Sequence, residues 1–368
     1  MIKRIALLIL VLVCFASCKS DYTYKIEGKL TNLSDQTIYA VFENDNARLV
    51  DTVTCKKPGE FTLKEKKEGF NCVTLFFDGK SRYVTAYLEK GKTVSISGDA
   101  RYPMGLKITG GKINNDLNDF RKKASKLIQM AAEINNQIYE KSATSSKETD
   151  LTAKVANINL QISEIAENYI KDHKNKEASV VLIERYFSNP EDTRKIDELL
   201  AMLDPKLKSF YLFTNLQQFS ARAKRTAIGA EAPNFAVRNV YGRAVSIDSF
   251  PQRYLLMAFT APWCDMCQTK DLELDKIAMK YPSKKLSILL ISLDNDQKQV
   301  RNALKNDSIR WNLVTDSAGQ ATNLIDLYNV SALPRCFLID EEGKIIQKAD
   351  NGMEIRQTLE RLLDKDTE

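Results

Sequence analysis

Residues 254–267 read YLLMAFTAPWCDMC and indicate the fold of the region around them. The run begins with six apolar residues, as expected of a β-strand that is buried on both faces of a sheet. Two cysteines separated by two residues follow, and a helix is expected to start just after Trp263. The positive end of a helix favours thiolate, which is the reactive form of cysteine. The spacing therefore predicts a redox pair in which Cys264 attacks a substrate and Cys267 resolves the mixed disulfide.

Two other uses of the cysteine pair remain open, a structural disulfide and one half of a zinc site. A zinc site needs a second pair of cysteine or histidine ligands. The chain has one histidine, His173, in a charged segment, and Cys336 alone does not complete a ligand set. We therefore predict no metal site and no cofactor.

The pattern after Gly229 alternates between strands and helices. Leu286–Leu293 and Cys336–Ile339 are apolar runs that predict buried strands, and Glu341–Lys344 predicts a turn into a further strand. Strands that alternate with helices predict an α/β domain with a central sheet.

This part of the chain resembles the thioredoxin superfamily, in its TlpA/ResA-like, AhpC/TSA-related branch. The resemblance covers about residues 228–363 and rests on GAEAPNFAVRNVYGRAVSIDSF, LLMAFTAPWCDMC and LYNVSALPRCFLIDEEGKI. It implies a thioredoxin-like fold and thiol–disulfide oxidoreductase activity. It also implies that Pro334 is the family's cis-proline and that Pro262 and Trp263 support the cysteine pair. The whole chain resembles Bacteroidota lipoproteins in which a β domain of unknown function and a helical segment precede such a domain.

The sequence departs from the family pattern at positions that handle protons. Thioredoxin has a buried aspartate where Ala258 stands, and TlpA/ResA-like proteins commonly have a glutamate where Lys270 stands. Lys270 is a candidate for stabilising a thiolate, whereas the charge of Asp265 disfavours one at Cys264. A less stabilised reduced form makes a weaker oxidant. We therefore predict a reductant, similar to proteins that keep apocytochromes or other exported thiols reduced, with a membrane electron donor as its partner.

Two alternative functions remain. A peroxiredoxin-like antioxidant peroxidase requires a threonine three residues before its reactive cysteine, but Ala261 stands there and Thr260 is one residue off. The other alternative is an envelope lipoprotein whose β domain binds a ligand or protein, with the redox pair in a secondary role.

The N-terminus predicts export. Residues 1–17 have a basic start, an apolar run and small residues before Cys18, as in a secretory signal peptide. The apolar run is shorter than the roughly 20 residues of a spanning helix. The segment that ends at Cys18 resembles a bacterial lipobox, which implies a lipid anchor; ordinary cleavage is the alternative. We predict a periplasm-facing lipoprotein held at the membrane surface, where disulfides are permitted.

The remaining patterns predict a multidomain protein. Seven short strand-like runs in residues 18–110 predict an all-β sandwich. Residues 111–225 are predicted to be helical, with two long apolar stripes that favour an antiparallel hairpin or, alternatively, a dimeric coiled coil. A linker at 221–229 leads into the thioredoxin-like domain at 226–366.

The composition fits this organisation. The hydrophobic content of 43% and the charged content of 28% are typical of globular proteins. The net charge of +6 is small for 368 residues, and basic clusters interleaved with aromatic residues are absent from the sequence, so nucleic acid is not an expected partner.

Three further cysteines are left beyond these assignments in the chain after the predicted signal peptide. Cys55 and Cys72 lie in neighbouring predicted strands, and a disulfide between them is one expectation. Cys336 is then a leftover thiol, either a small buried hydrophobic residue or a third redox thiol close to the active pair.

Overall fold

The structure is a computed structural model that describes residues 22–44, 47–140, 145–250, 254–267, 273–281, 285–294, 296 and 312–364. The predicted signal peptide, Cys18 and Lys270 lie outside these residues. The chain divides into two compact units, Met1–Tyr186 and Phe187–Glu368. The predicted domain boundaries after residues 110 and 225 stay predictions.

The first unit contains two four-stranded sheets that share one hydrophobic core, in the strand orders β4-β1-β7-β8 and β3-β2-β5-β6. Alternate residues of β2, such as Ile38, Ala40 and Phe42, are completely buried, which is the period expected of a strand with one face on a core. The predicted all-β sandwich is therefore confirmed. The strands are β1 Tyr24–Thr31, β2 Thr37–Glu43, β3 Arg48–Thr54, β4 Glu60–Glu65, β5 Cys72–Phe77, β6 Arg82–Tyr87, β7 Thr93–Asp99 and β8 Lys107–Thr109.

Helices α1 Lys112–Glu140, α2 Ser145–Asp172 and α3 Glu177–Phe187 follow the sheets. The Tyr169 hydroxyl, near the end of α2, donates to the backbone carbonyl of Asp116, near the start of α1, over 3.1 Å. Because the end of α2 contacts the start of α1, the two helices form an antiparallel hairpin. The apolar stripes are thus buried within one chain, as the hairpin interpretation predicts.

The second unit contains a five-stranded sheet in the order β13-β12-β11-β14-β15. Strands β11, β12 and β13 are parallel, whereas β14 and β15 are antiparallel to their neighbours. The strands are β9 Val237–Arg238, β10 Ala244–Val245, β11 Tyr254–Thr260, β12 Leu286–Ser292, β13 Asn312–Thr315, β14 Arg335–Ile339 and β15 Ile345–Ala349. The helices are α4 Arg194–Ala201, α5 Tyr211–Arg225, α6 Leu274–Lys280, α7 Gln320–Leu327 and α8 Gly352–Leu359.

The linker predicted at 221–229 is wrong at its start, because α5 continues to Arg225. Ala223 is buried on the core side of this helix, and basic side chains in its last turn complement the negative end of the helix dipole. The last turn of this amphipathic helix is polar and basic, and for that reason its sequence resembles a linker.

Strand β11 lies in the middle of the sheet and is buried along its whole length. Leu256 and Ala258 belong to the hydrophobic cluster on one face of the sheet, and Met257 and Phe259 belong to the cluster on the other. The predicted α/β fold is confirmed, and the chain leaves this central strand at Thr260, directly before the cysteine pair.

Candidate active site

The cysteine pair lies in a tight turn at the carboxyl end of β11. The Cys264 amide donates to the Ala261 carbonyl over 3.2 Å, and the Cys267 amide donates to the Cys264 carbonyl over 2.9 Å. Residues Asp265–Cys267 form one turn of 3₁₀-helix. Residues 268–272 lie outside the described part of the chain, and α6 begins at Leu274. Within the described residues, the helix predicted to start just after Trp263 is represented by this 3₁₀ turn.

Cys264 and Cys267 form a disulfide, with an S–S distance of 2.09 Å and a Cα–Cα distance of 5.2 Å. Their exposure differs. Cys267 is 5% exposed and belongs to the buried residues, whereas Cys264 is half-buried. A substrate that approaches from solvent therefore reaches Cys264 before Cys267, which is the order that the predicted roles require.

Two large apolar side chains flank Cys264 at the surface. Trp263 and Met266 are each 68% exposed. Asp265, between the cysteines, is also exposed, and Pro262 is half-buried. Trp263 is thus not part of the core, and exposed apolar side chains beside a reactive thiol provide a surface for contact with another chain. The supporting roles of Pro262 and Trp263 stay predictions.

Pro334 immediately precedes β14, the strand that pairs with β11. The Leu333–Pro334 peptide bond is cis, as the resemblance implies. Strand β14 begins immediately afterwards, and its first residue, Arg335, pairs with Phe259 near the end of β11. The cis-proline segment therefore lies beside the strand end from which the cysteine pair emerges.

Neither a metal site nor a spanning helix is found in the described residues. These residues contain no group of three or more histidine, cysteine, aspartate or glutamate side chains that could hold a metal ion. Within the same residues, no helix is both long enough and apolar enough to cross a membrane.

Comparison with known proteins identifies the family. Residues 227–363 match the family model described as Redoxin, and residues 24–117 match one described as Domain of unknown function (DUF4369). The thiol-disulfide oxidoreductase ResA of Bacillus cereus is 30% identical over 155 residues, which cover 42% of this chain and 87% of that protein. The chain belongs to the ResA-like thiol-disulfide oxidoreductases of the thioredoxin superfamily.

Two of the solved structures similar to this ResA-like chain come from Bacteroides. A thiol-disulfide oxidoreductase from Bacteroides fragilis is 32% identical, and the match covers 36% of this chain and 99% of that one, with a TM-score of 0.33. The thioredoxin domain of a thiol-disulfide oxidoreductase from Bacteroides vulgatus is 26% identical, and the match covers 37% of this chain and 98% of that one, with a TM-score of 0.34.

In this ResA-like protein, Cys336 lies opposite Ala258 in the pairing of β14 with β11, and both residues are completely buried. Burial raises the pKa of the Cys336 thiol to about 12, and the nearby negative charge of Asp350 adds to the effect. A thiol with such a pKa is almost entirely protonated near neutral pH. These observations fit the interpretation of Cys336 as a small buried hydrophobic residue.

A charged cluster next to the cis-proline segment was missed by the sequence interpretation. The side chains of Arg335 and Lys348 are only 15% and 7% exposed. Glu191, which precedes α4, contacts both: its carboxylate lies 3.4 Å from Arg335 Nη1 and 2.8 Å from Lys348 Nζ. Asp350 lies 3.0 Å from Arg335 Nε. In the sequence, the only sign of this cluster was the presence of cations in or beside strands that were expected to be buried.

The possible disulfide between Cys55 and Cys72 does not form, because both thiols are free. The Cys55 amide donates to the carbonyl of Gln36, just before β2, whereas Cys72 pairs with Glu43 at the end of β2. Seven residues of extended chain span roughly 23 Å, and a disulfide requires Cα atoms within about 7 Å of each other. The two cysteines therefore lie at opposite ends of one sheet.

Proposed function

We propose that this thiol-disulfide oxidoreductase reduces disulfides of exported proteins in the cell envelope, with Cys264 as the attacking thiol and Cys267 as the resolving thiol. The observation that carries the proposal is the unequal exposure of the two cysteines, half-buried Cys264 and buried Cys267, at the end of a central strand.

The reaction transfers two electrons in two exchanges. The Cys264 thiolate attacks one sulfur of the substrate disulfide, so that a mixed disulfide forms and one substrate thiolate leaves. The Cys267 thiolate then attacks the Cys264 sulfur, and the second substrate thiolate leaves. The substrate ends as a dithiol, and the enzyme ends as the Cys264–Cys267 disulfide that the structure contains. Both substrate thiolates take up protons from solvent or from neighbouring thiols.

The surface around Cys264 supports a protein substrate. Trp263 and Met266 present apolar area on either side of the half-buried sulfur. The cis-proline segment leads into β14. Strand β14 pairs with β11, which ends just before the cysteine pair. In the proposed complex, an extended stretch of substrate lies along Leu333–Pro334, while its apolar side chains contact Trp263 and Met266.

The proposed direction is reduction. Asp265 is exposed directly beside Cys264, and its negative charge disfavours a thiolate there. The surroundings of Ala258 are apolar, and Cys336 faces it across the strand pair. A reduced state with less stabilised thiolate gives up electrons more readily. The enzyme then needs a membrane donor to reduce it after each turnover, and apocytochrome maturation is one process in which such a reductant works.

The equilibrium redox potential of the Cys264–Cys267 pair, measured against glutathione, tests the direction. We expect a value nearer to the about −270 mV of thioredoxin than to the about −120 mV of a strong periplasmic oxidase. We also expect the dithiol form of the protein to reduce insulin disulfides. A potential near the oxidase value would overturn the reductant assignment. It would not contradict the assignment of Cys264 and Cys267 as a redox pair.

The geometry disfavours the peroxidase alternative. Thr260 is buried, and its hydroxyl donates to the Ile291 carbonyl over 3.4 Å. Ala261, at the position where a peroxidase needs threonine, has no hydroxyl to offer. Consumption of hydrogen peroxide at a rate comparable to insulin reduction would restore this alternative.

The proposed location is the periplasm-facing surface of a membrane, with a lipid on Cys18 as the anchor. Its support is the pattern of residues 1–18, since these residues lie outside the described structure. A lipid anchor would keep the redox pair at the membrane surface, close to a membrane electron donor.

A further inference from the structure

The N-terminal unit contains a cavity of about 740 Å³, bounded by the start of β6, the turn before β8 and helices α1, α2 and α3. Small-molecule sites in proteins commonly have volumes of about 300–1,000 Å³. Three tyrosines line this cavity, Tyr83, Tyr102 and Tyr186. Aromatic side chains with a polar tip are suited to a ligand that is partly apolar.

One wall of the cavity is apolar. Ile128 and Ala131 of α1 and Ile162 of α2 line it and are themselves buried. Met104 adds a flexible and polarisable side chain that adapts to the shape of an occupant. This wall can cover a hydrocarbon chain or ring but offers it no hydrogen bond.

The charged side chains that line the cavity are both arginines. Arg82 and Arg101 are among the lining residues, whereas aspartate and glutamate are absent from them in the described part of the chain. Each of these arginines is paired, Arg82 with Asp78 at 2.6 Å and Arg101 with Asp99 at 2.7 Å. The two arginines have further N–H groups that can donate hydrogen bonds, but their ion pairs leave little net charge.

Two additional arginines bring positive charge to the edge of the cavity. The Arg185 guanidinium donates to the Met104 sulfur, and Arg121 interacts electrostatically with Tyr186. Burial and the repulsion by Arg185 lower the pKa of Arg121 to about 10. Among residues 22–44, 47–140 and 145–186, neither arginine is in an ion pair, although Arg185 interacts electrostatically with Glu184, its neighbour in the sequence. Arg121 and Arg185 repel each other, and the one carboxylate of Glu184 does not balance both cations, so a further anion beside them is favoured.

We propose that this cavity binds an anion with an apolar body, of the class of medium-chain or aryl carboxylates. The carboxylate accepts hydrogen bonds from the guanidinium groups at the Met104 side, where planar N–H donors match its two oxygens. The hydrocarbon part lies against Ile128 and Ile162. The site belongs to a different unit from the cysteine pair and does not rest on the proposed reductase activity.

Displacement of the fluorescent anion 1-anilinonaphthalene-8-sulfonate from the purified full-length protein tests the proposal. Octanoate, 1-octanol and octylammonium share one tail and differ in charge. We expect octanoate to displace the probe about tenfold more effectively than octanol, because a hydrogen bond to a charged partner is worth about that factor. Octylammonium should be the weakest. Equal displacement by octanoate and octanol would overturn the proposal, and this comparison requires no variant.

Substitutions locate the site. Arg185→Gln should weaken octanoate about tenfold and leave octanol unchanged. Ala132→Phe places a ring in the cavity and should weaken both. Arg222→Gln, on the exposed side of α5 in the other unit, removes the same charge and should change neither. Circular dichroism and the Tm confirm that each variant is folded. The proposal fails if Arg185→Gln behaves like Arg222→Gln or if Ala132→Phe binds octanoate as the wild type does.

Discussion

Cys336 lies directly opposite Ala258, and both are completely buried where β14 pairs with β11. Ala258 stands at the position where thioredoxin has a buried aspartate. The strand that leads into the cysteine pair therefore has a methyl group and a protonated thiol at the place where a carboxylate handles protons in thioredoxin. This relationship makes the state of Cys336 the first property to test.

Cys336 should not react with iodoacetamide at pH 8 in the native oxidised protein, because it is buried and its pKa is raised to about 12. Peptide mapping after alkylation, with and without denaturant, measures this. Cys336→Ala should keep disulfide reductase activity and lose roughly 1 kcal/mol of stability through the small cavity it leaves. A peptide that links Cys336 to Cys264 or Cys267 would instead establish the third redox thiol.

Cys264→Ser should abolish insulin reduction, because the attacking thiol is lost. Cys267→Ser should trap mixed disulfides with substrate, because attack still occurs but resolution does not. Non-reducing gel electrophoresis of envelope extracts reveals such adducts. Cys55→Ser is the matched control and should leave both readouts unchanged, since Cys55 lies in the other unit. Adducts on Cys264→Ser but not on Cys267→Ser would show that the two roles are reversed.

Glu191→Gln should lower the free energy of unfolding by about 1–2 kcal/mol, because it leaves two largely buried cations short of a counter-charge. The figure is below that of a fully buried pair because the Glu191 side chain is half exposed. Urea denaturation measures the effect. Asp192→Asn is the control, because its partner Arg194 is almost fully exposed and its loss should matter little. If the two variants were equally stable, Glu191 would not contribute to the charged cluster that supports β14 and β15.

Asp99 should stabilise the fold in a pH-dependent way. A hydrogen bond from the Arg101 side chain is the main cause that lowers the pKa of Asp99 to about 2. Because the folded pKa is depressed, the stabilisation is fully present above the unfolded value of about 4 and is lost as the pH falls through 2. The difference in unfolding free energy between the wild type and Asp99→Asn should therefore shrink between about pH 4 and pH 2.

The same difference measured in an Arg101→Gln background should lose most of this pH dependence, because the main donor is gone. Urea titrations at several pH values provide the comparison. A difference that stays constant down to pH 2 would contradict the assigned interaction.

Cys18→Ala should release the protein from the membrane fraction into the periplasm or leave its signal uncleaved, because the thiol that would carry the lipid is missing. Fractionation followed by mass spectrometry of the N-terminus distinguishes these two forms. Cys14→Ala, inside the predicted signal peptide, is the matched control. Unchanged membrane association of Cys18→Ala would argue against the lipid anchor.

Several features could be predicted because their signals are local. The apolar run before Cys264 marks a strand buried on both faces, and alternating or helical periods mark the sandwich strands and the α1–α2 hairpin. Such patterns report on the environment of neighbouring residues along one element. For that reason they predicted the fold class and the position of the cysteine pair, but misjudged where α5 ends.

The sequence by itself determined the presence of a redox-spaced cysteine pair after a buried strand, the three kinds of secondary-structure pattern and the family that they imply. Only the tertiary structure decided that Cys55 and Cys72 lie apart, that Cys336 faces Ala258 and that Glu191 reaches Arg335 and Lys348. These relationships depend on strand order and register between distant segments. Strand order and register follow from how all the apolar faces of a unit pack together, and no local spacing encodes that.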